Sequence, residues 1–439
     1  MPFLRVPAAL ALAATLFAPL GLRAENWTLD RALAVARENN PDARLARLRI
    51  EGAQALEQQA RAAGLPQLAL QGGYSASNRA MPAFGSILNQ RAFTWTTDFN
   101  RPGTIDDLNA TGTVAYNLYN GGRSTAHRAA AQAGTQAAEH DARATQQQLE
   151  TAVVRAYLRI REAREAVTVL ASGVRSYAAA VAVAQARFDA GQLLKADLLD
   201  LEVQLAQTRE AHATARHQAQ LAERAFLFVL GREKAADPVE LPDDDPALAR
   251  LVPPSAVDPA RRPELAAVEA RVRAAEAMVR AARGGRQPTV DAFASYGYDH
   301  GWQLNAHADG WVAGVAVAVP LFDGGQTSGK IRQARAELAQ AQEQRRQLQL
   351  ALALEVEQAR LAHADATERL AVSARTVAQA EESAALSRAR FETGALLAAD
   401  LIGVETRLLE ARLRRTLATI AERAALADLR RALGLPLFD

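Results

Sequence analysis

Two aspartates occupy matching places in the chain. Asp197 and Asp400 each stand six residues after a glycine, Gly191 or Gly394, that follows an Arg-Phe pair. A carboxylate in the first turn of a helix is favoured by the exposed N–H groups and the helix dipole, by about 0.3–1 kcal/mol. If identical chains were arranged about an axis, such carboxylates would form a ring that attracts cations and resists anions. The histidines are the other residues with chemistry to offer. His300 and His307 read as loop residues between two strand-like stretches, beside Asp299 and Asp309, a set able to bind a metal but without the i, i+4 spacing of two ligands on one helix face. We therefore expect no metal site there. His212 and His217 are five apart, the wrong spacing for a shared face, and His363 falls in an apolar seam, where a polar residue sets register or faces a pore. No Ser-His-Asp set, paired-carboxylate pocket or phosphate loop is present, so neither an enzyme activity nor a cofactor is expected. The absence of cysteine excludes disulfides, thiolate metal sites and a lipid-modified cysteine.

The elements that carry these residues occur twice. Asn40-Pro41 through Leu65-Pro66 matches Arg262-Pro263 through Gln287-Pro288, with Pro41 falling on Pro263, a shift of 222. Asn120-Gly121-Gly122 matches Asp323-Gly324-Gly325, a shift of 203 that also carries Arg187-Phe188-Asp189-Ala190-Gly191 onto Arg390-Phe391-Glu392-Thr393-Gly394 and Leu230-Gly231 onto Leu433-Gly434. The step from 222 to 203 places a 19-residue difference between Pro66 and Asn120, where the first half has the longer loop, about 79–109. Each half reads as an opening helix (near 28–63, and 256–284) and then two strands of period-two alternation (67–76 and 111–119; about 290–298 and 311–319). Roughly ten such residues is the length of a membrane-spanning strand. A Gly-Gly pair then begins a proline-free helix with a heptad seam, Val153, Ile160, Val167, Val174, Val181 and Phe188 among its members. From Arg123 to Ala190 it is on the order of 100 Å long, and the helix returning to Leu230 is roughly half that, leaving length for the opening helix to fill.

Of the 439 residues 49% are apolar but only 5% aromatic, an Ala- and Leu-rich composition suited to long, closely packed helices. Residues 1–24 read as a secretory signal: Arg5, an apolar run from Ala8 to Phe17, and a cleavage site at Leu22-Arg23-Ala24. Its removal takes away two arginines and leaves 49 basic against 49 acidic residues, a balance that argues against nucleic acid as a partner. No second apolar segment able to hold the chain in an inner membrane is expected. The organisation is thus a signal peptide at 1–24, a first repeat at 25–231, a Pro-rich connector at 232–260 and a second repeat at 261–439.

Four strands are too few to close a barrel, and open sheet edges are not tolerated in hydrocarbon. A 100 Å helix with an Ala-rich flank also cannot bury itself within one chain. Both point to a cyclic homo-oligomer, without fixing its number.

In its doubled Asn-Gly-Gly-Arg and Asp-Gly-Gly-Gln helix starts, doubled Arg-Phe-x-x-Gly turns, Leu-Gly helix ends and Leu-Asp-Arg-Ala-Leu at 29–33, the sequence resembles the TolC-like outer-membrane efflux proteins over essentially all of the mature chain. That resemblance implies a mainly helical fold with membrane β-strands: a homotrimer with a 12-stranded barrel among outer-membrane lipids and a periplasmic α-helical barrel. It implies partners too, a periplasmic adaptor protein and an inner-membrane pump of RND or ABC type. The tips would dock the adaptor through Gly191, Leu193, Leu194, Gly394, Leu396 and Leu397. Asp400 would line the pore constriction and Asp197 would help latch the tips. Phe391 and Leu396 replace the tyrosine and arginine that complete the family's latch and Gly403 replaces a second acid, so Arg187 and Arg390 become the candidates for substitute pairing. The competing reading, a periplasmic adaptor with long coiled-coil hairpins, predicts one hairpin flanked by compact β-domains.

Overall fold

A computed structural model describes residues 25–233, 239–254 and 262–438. The expected signal peptide lies outside them, as do parts of the connector. In chain order the elements are β1 (Glu25–Asn26), α1 (Leu29–Asn39), α2 (Pro41–Ala62), β2 (Gln67–Ser77), α3 (Ala80–Asn89), β3 (Ile105–Tyr119), α4 (Arg123–Asp189) and α5 (Lys195–Val229). They continue with β4 (Val239–Glu240), α6 (Pro246–Ala249), α7 (Pro263–Gly284), β5 (Thr289–Gly301), β6 (Ala306–Ala318), α8 (Gln326–Glu392) and α9 (Ala398–Ala432).

The doubled hairpins have the expected form. Helices α4 and α8 are each 67 residues long, about 100 Å, and the returning α5 and α9 are each 35. The length left over is filled as expected, by α2 along α4 and by α7 along α4 and α8. The opening segment of the first half is two helices, not one. Pro41 disfavours helical backbone in the residue before it, and Asn40 is extended (φ −61°, ψ 131°). Its side chain accepts the Asp42 N–H over 2.8 Å to cap α2, while its amide donates to the Val229 carbonyl at the end of α5.

The connector is a folded belt where it is described. The two short strands β1 and β4 pair in parallel. Asp245, buried ahead of α6, accepts from the Leu29 N–H (2.7 Å), the Tyr157 hydroxyl (2.7 Å) and the Ala247 N–H (3.0 Å). Burial, with the hydrogen bond to Asp245, pushes the Tyr157 hydroxyl pKa well up. The main apolar core surrounds this junction, with Trp27, Tyr157 and Phe226 at its centre.

The strands form one antiparallel sheet in the order β2-β3-β5-β6, the two halves meeting at β3-β5. They are 11 to 15 residues long, longer than their alternation indicated. Strand β3 begins at Ile105 instead of 111 because the carboxylate of Asp106, which interrupts the apolar pattern, accepts the N–H groups of Trp302 and Gln303. The first-half loop also holds a helix, α3. Cross-strand partners share a face. One face carries Leu68-Val114-Ala294-Ala313 and Leu70-Gly112-Tyr296-Trp311, and the other carries Ala69-Thr113-Ser295-Val312 and Gln71-Thr111-Gly297-Gly310. The first is apolar and exposed: Leu70 and Trp311 leave about four-fifths of their surface uncovered. Both outer strands, β2 and β6, present an unpaired edge.

Where sheet meets helices, Gly121 and Gly284 lie back to back. A Cβ on Gly121 would stand 2.3 Å from the Gly284 carbonyl oxygen, so no larger residue fits. Helix α4 contains an 18-residue stretch long and apolar enough to cross a membrane, little of it buried within the chain. It belongs to a helix that continues well beyond any bilayer thickness and packs on α5, α7 and α9.

Candidate functional site

The site expected from sequence is the pair of hairpin tips. Gly191 (φ +71°) and Gly394 (φ +80°) are left-handed, a conformation that strains any residue with a Cβ. They turn the last N–H groups back onto the helix ends: Gln192 donates to the Arg187 carbonyl and Ala395 to the Arg390 carbonyl, both over 2.8 Å. Three residues later the chain restarts as α5 and α9, with Asp197 and Asp400 in their first turns. Asp400 is exposed and Asp197 half-buried. The tip leucines divide by exposure. Leu193 and Leu396 pack against the apolar cluster of Tyr177, Leu198, Leu201, Phe391 and Leu401, whereas Leu194 (72% exposed) and Leu397 (69%) stand out into solvent.

Arg187 does not pair with either aspartate. Its guanidinium donates to the Phe391 carbonyl (3.0 Å) and lies 5.3 Å from the centre of the Phe391 ring, joining the end of α4 to the end of α8. Phe391 supplies a ring face and a main-chain oxygen, so the contact needs no hydroxyl. Arg390 is exposed, and among the described residues no ion pair joins it to Asp197 or Asp400.

A polar ladder above the tips was missed from sequence. Arg388 of α8 is bidentate to Glu405 of α9, which is 5% exposed, and reaches Ser176 of α4 (3.3 Å). One step further from the tip, Arg412 of α9 holds Glu381 of α8 (2.8 Å) and reaches Ser172 of α4 (3.3 Å). Beside the first rung the Tyr177 hydroxyl meets Thr406 (2.9 Å) and the Ile402 carbonyl. Burial raises the Tyr177 pKa, and the hydrogen bond to Glu405 raises that of Arg388. The signal was present in the repeat: Arg388 and Glu405 align with Gln185 and Glu202, so the charge pair is confined to the second half.

The histidines are not in a loop. His300 is in β5 and His307 in β6, directly paired, with ring centres 6.3 Å apart and Trp302 packed edge-on against His300. Among the described residues no group of three or more His, Asp and Glu side chains is arranged to hold a metal ion. His363 faces Glu422 of α9, Nε2 lying 3.9 Å from the carboxylate.

Comparison with known proteins gives the same architecture. The family model described as outer membrane efflux protein matches residues 32–232 and 259–435. The outer membrane efflux protein BepC of Brucella suis is 28% identical over 350 residues, 76% of this chain and 69% of that protein. The fusaric acid resistance protein FusA of Burkholderia cepacia is 29% identical over 331 residues, 70% of this chain and 58% of that protein, so the chain spans somewhat over half of it. The crystal structure of a membrane protein from Pseudomonas aeruginosa matches with a TM-score of 0.83 over 99% of both chains, at 23% identity. With its doubled hairpins, four-stranded sheet and near-complete match to the family model, the chain belongs to the outer membrane efflux protein family.

Proposed function

We propose that three copies of this chain close into a passive duct that carries cargo from an inner-membrane pump, through a periplasmic adaptor, across the outer membrane. The observation that carries this reading is the sheet: apolar and exposed on one face, polar on the other, with an open edge at β2 and another at β6. Joining β6 of one copy to β2 of the next satisfies both edges, turns the apolar face to lipid and the polar face to a water-filled lumen. The uncovered apolar stretch of α4 finds its cover in neighbouring helices of the same assembly. The adaptor reading lacks support, because the described residues hold two long hairpins and one four-stranded sheet instead of one hairpin between β-domains.

In this duct the tips form the periplasmic end. Asp400 makes a three-carboxylate ring, with Asp197 beside it. Leu194 and Leu397, the apolar tip residues facing solvent, are the adaptor's contact, the Gly191 and Gly394 turns presenting them, and Leu193 and Leu396 anchor them from below. The closed state is held by Arg187 on Phe391 and by the Ser176 and Ser172 rungs, which tie the second hairpin to α4. Arg390, exposed in the last turn of α8, stands at the rim. Fractionation tests this: a detergent-resistant, β-rich oligomer in the outer membrane is expected, and recovery with the inner membrane would overturn it.

A further inference from the structure

The loop between β2 and β3 folds onto one particular face of the sheet. Ile105, Asp299 and Ala308 belong to the polar-face rows and are 6%, 9% and 4% exposed, while Leu108 and Tyr74 on the apolar face at the same level are 37% and 63% exposed. What covers the polar face is α3, which packs against all four strands. Ala83 and Ile87 of α3 sit on Ile105, with Phe93 and Leu304 around them. Gln90, 1% exposed, follows α3 and donates to the Asp106 carbonyl (2.7 Å) and to Asp107, a polar-face side chain (3.1 Å). Its amide fills the place where a Cβ on Gly301 would be, and Arg91 donates to the Asp309 carbonyl on β6 (2.9 Å). The attachment is therefore packed and hydrogen-bonded, at the end of the sheet opposite the helices.

We infer that α3 lies inside the barrel and that three copies form an apolar collar at the outer mouth, a second constriction separate from the hairpin tips. The inference rests on the duct reading, because it is closure with the apolar face outward that puts the polar face, and α3 with it, in the lumen. Twelve strands spaced about 4.8 Å apart and tilted about 40° enclose a cylinder roughly 24 Å across. Three helices, each about 10 Å wide, grouped about one axis span roughly 20 Å. The helices thus take up most of the exit. On α3 itself Met81 (79%) and Leu88 (47%) are exposed, and the segment that follows it exposes Trp95 (95%) and Phe99 (47%). Trp95 and Phe99 are held in a nest of rings with Phe84 and Phe93, at centroid distances of 4.6–6.1 Å. A narrow apolar ring resists wetting and slows hydrated ions, while admitting apolar or amphipathic solutes. The collar is therefore a specificity element for the exit step, acting on polarity and width, whereas the Asp400 ring acts on charge.

The native chain has no cysteine, so a single one reports cleanly. Met81→Cys and, as a control on the lipid face, Leu70→Cys are reacted with a thiol-reactive polyethylene glycol added from the outer side during planar-bilayer recording, and the extent of reaction is read by mass. Modified Met81→Cys channels are expected to lose more than half of their current, with Leu70→Cys, shielded by lipid, left unreacted and its current unchanged. Unchanged current in fully modified Met81→Cys channels, or no reaction at that position from the outer side, would overturn the collar while leaving the duct intact. Recovery of the protein with the inner membrane, in the fractionation above, would overturn the duct reading itself.

Discussion

Arg187, at the end of α4, donates to the carbonyl of Phe391, at the end of α8, over 3.0 Å and holds its cation 5.3 Å from the centre of that residue's ring. The two hairpins of one chain are thereby joined at their tips through a main-chain oxygen and an aromatic face. A charge-assisted hydrogen bond contributes about 1.5–3 kcal/mol and a partly exposed cation–π contact about 0.5–1 kcal/mol. Arg187→Ala should therefore raise the open-to-closed ratio of single channels by about tenfold or more, while the thermal stability of the assembly changes little. Unchanged gating in bilayer recordings would remove Arg187 from the latch.

The Arg388–Glu405 pair should behave differently, because Glu405 is buried and its partner is not. Removing the arginine alone leaves a desolvated carboxylate, so Arg388→Met should cost roughly 2–3 kcal/mol at the tip, discounted from the fully buried case for the exposure of Arg388. Replacing both, with Arg388→Met and Glu405→Leu, should restore most of the loss. Protease susceptibility of the tip reads both; equal cleavage of the single and double variants would contradict the pairing.

Asp400 and Gly403 give a matched test of the charge ring. Asp400→Ala should raise conductance and weaken cation preference. A Cβ at Gly403 meets nothing within 4 Å, so Gly403→Asp adds a second carboxylate without steric cost and should strengthen cation preference. Reversal potentials in a salt gradient measure both. If neither variant shifts them, the tip carboxylates do not line the constriction.

Much of this architecture was legible because it is written twice. The Gly-Gly starts, the Arg-Phe-x-x-Gly turns and the Leu-Gly ends fix the hairpin boundaries independently in each half, and the structure places them there. What escaped was singular or non-local. Helix α3 lies in the one segment without a counterpart, so no second copy exposed it. His300 and His307 read as loop residues because Asp299 and Asp309 break the apolar alternation, yet the ladder continues through them to a four-residue turn. The opening helix read as continuous because its apolar pattern runs through Asn40, whose break is set by Pro41 and a carbonyl 189 residues away. The Arg388–Glu405 pairing needed knowledge of which helix faces meet.

The junction of α7 with the end of α9 supplies a pH test. Arg262, 2% exposed, donates to the Ala432 carbonyl (3.0 Å) and to both oxygens of Glu264. Burial alone would raise the Glu264 pKa, but the hydrogen bonds and charge of Arg262 outweigh it and hold the carboxyl below its ordinary 4.5. A depressed folded pKa contributes stability that is complete above the unfolded value and is lost as pH falls through the folded one. Glu264→Gln should thus melt below the wild type at pH 7, with the difference shrinking as pH falls below about 4.5. A difference that stays constant to pH 3 would contradict the pairing.

In the proposed duct one chain supplies a third of a closed barrel. Native mass spectrometry of the detergent-solubilised protein tests it most directly. The open edges of β2 and β6 and the four strands between them predict a particle of three chains and no stable smaller species. A monomer or dimer that keeps its sheet folded would contradict it.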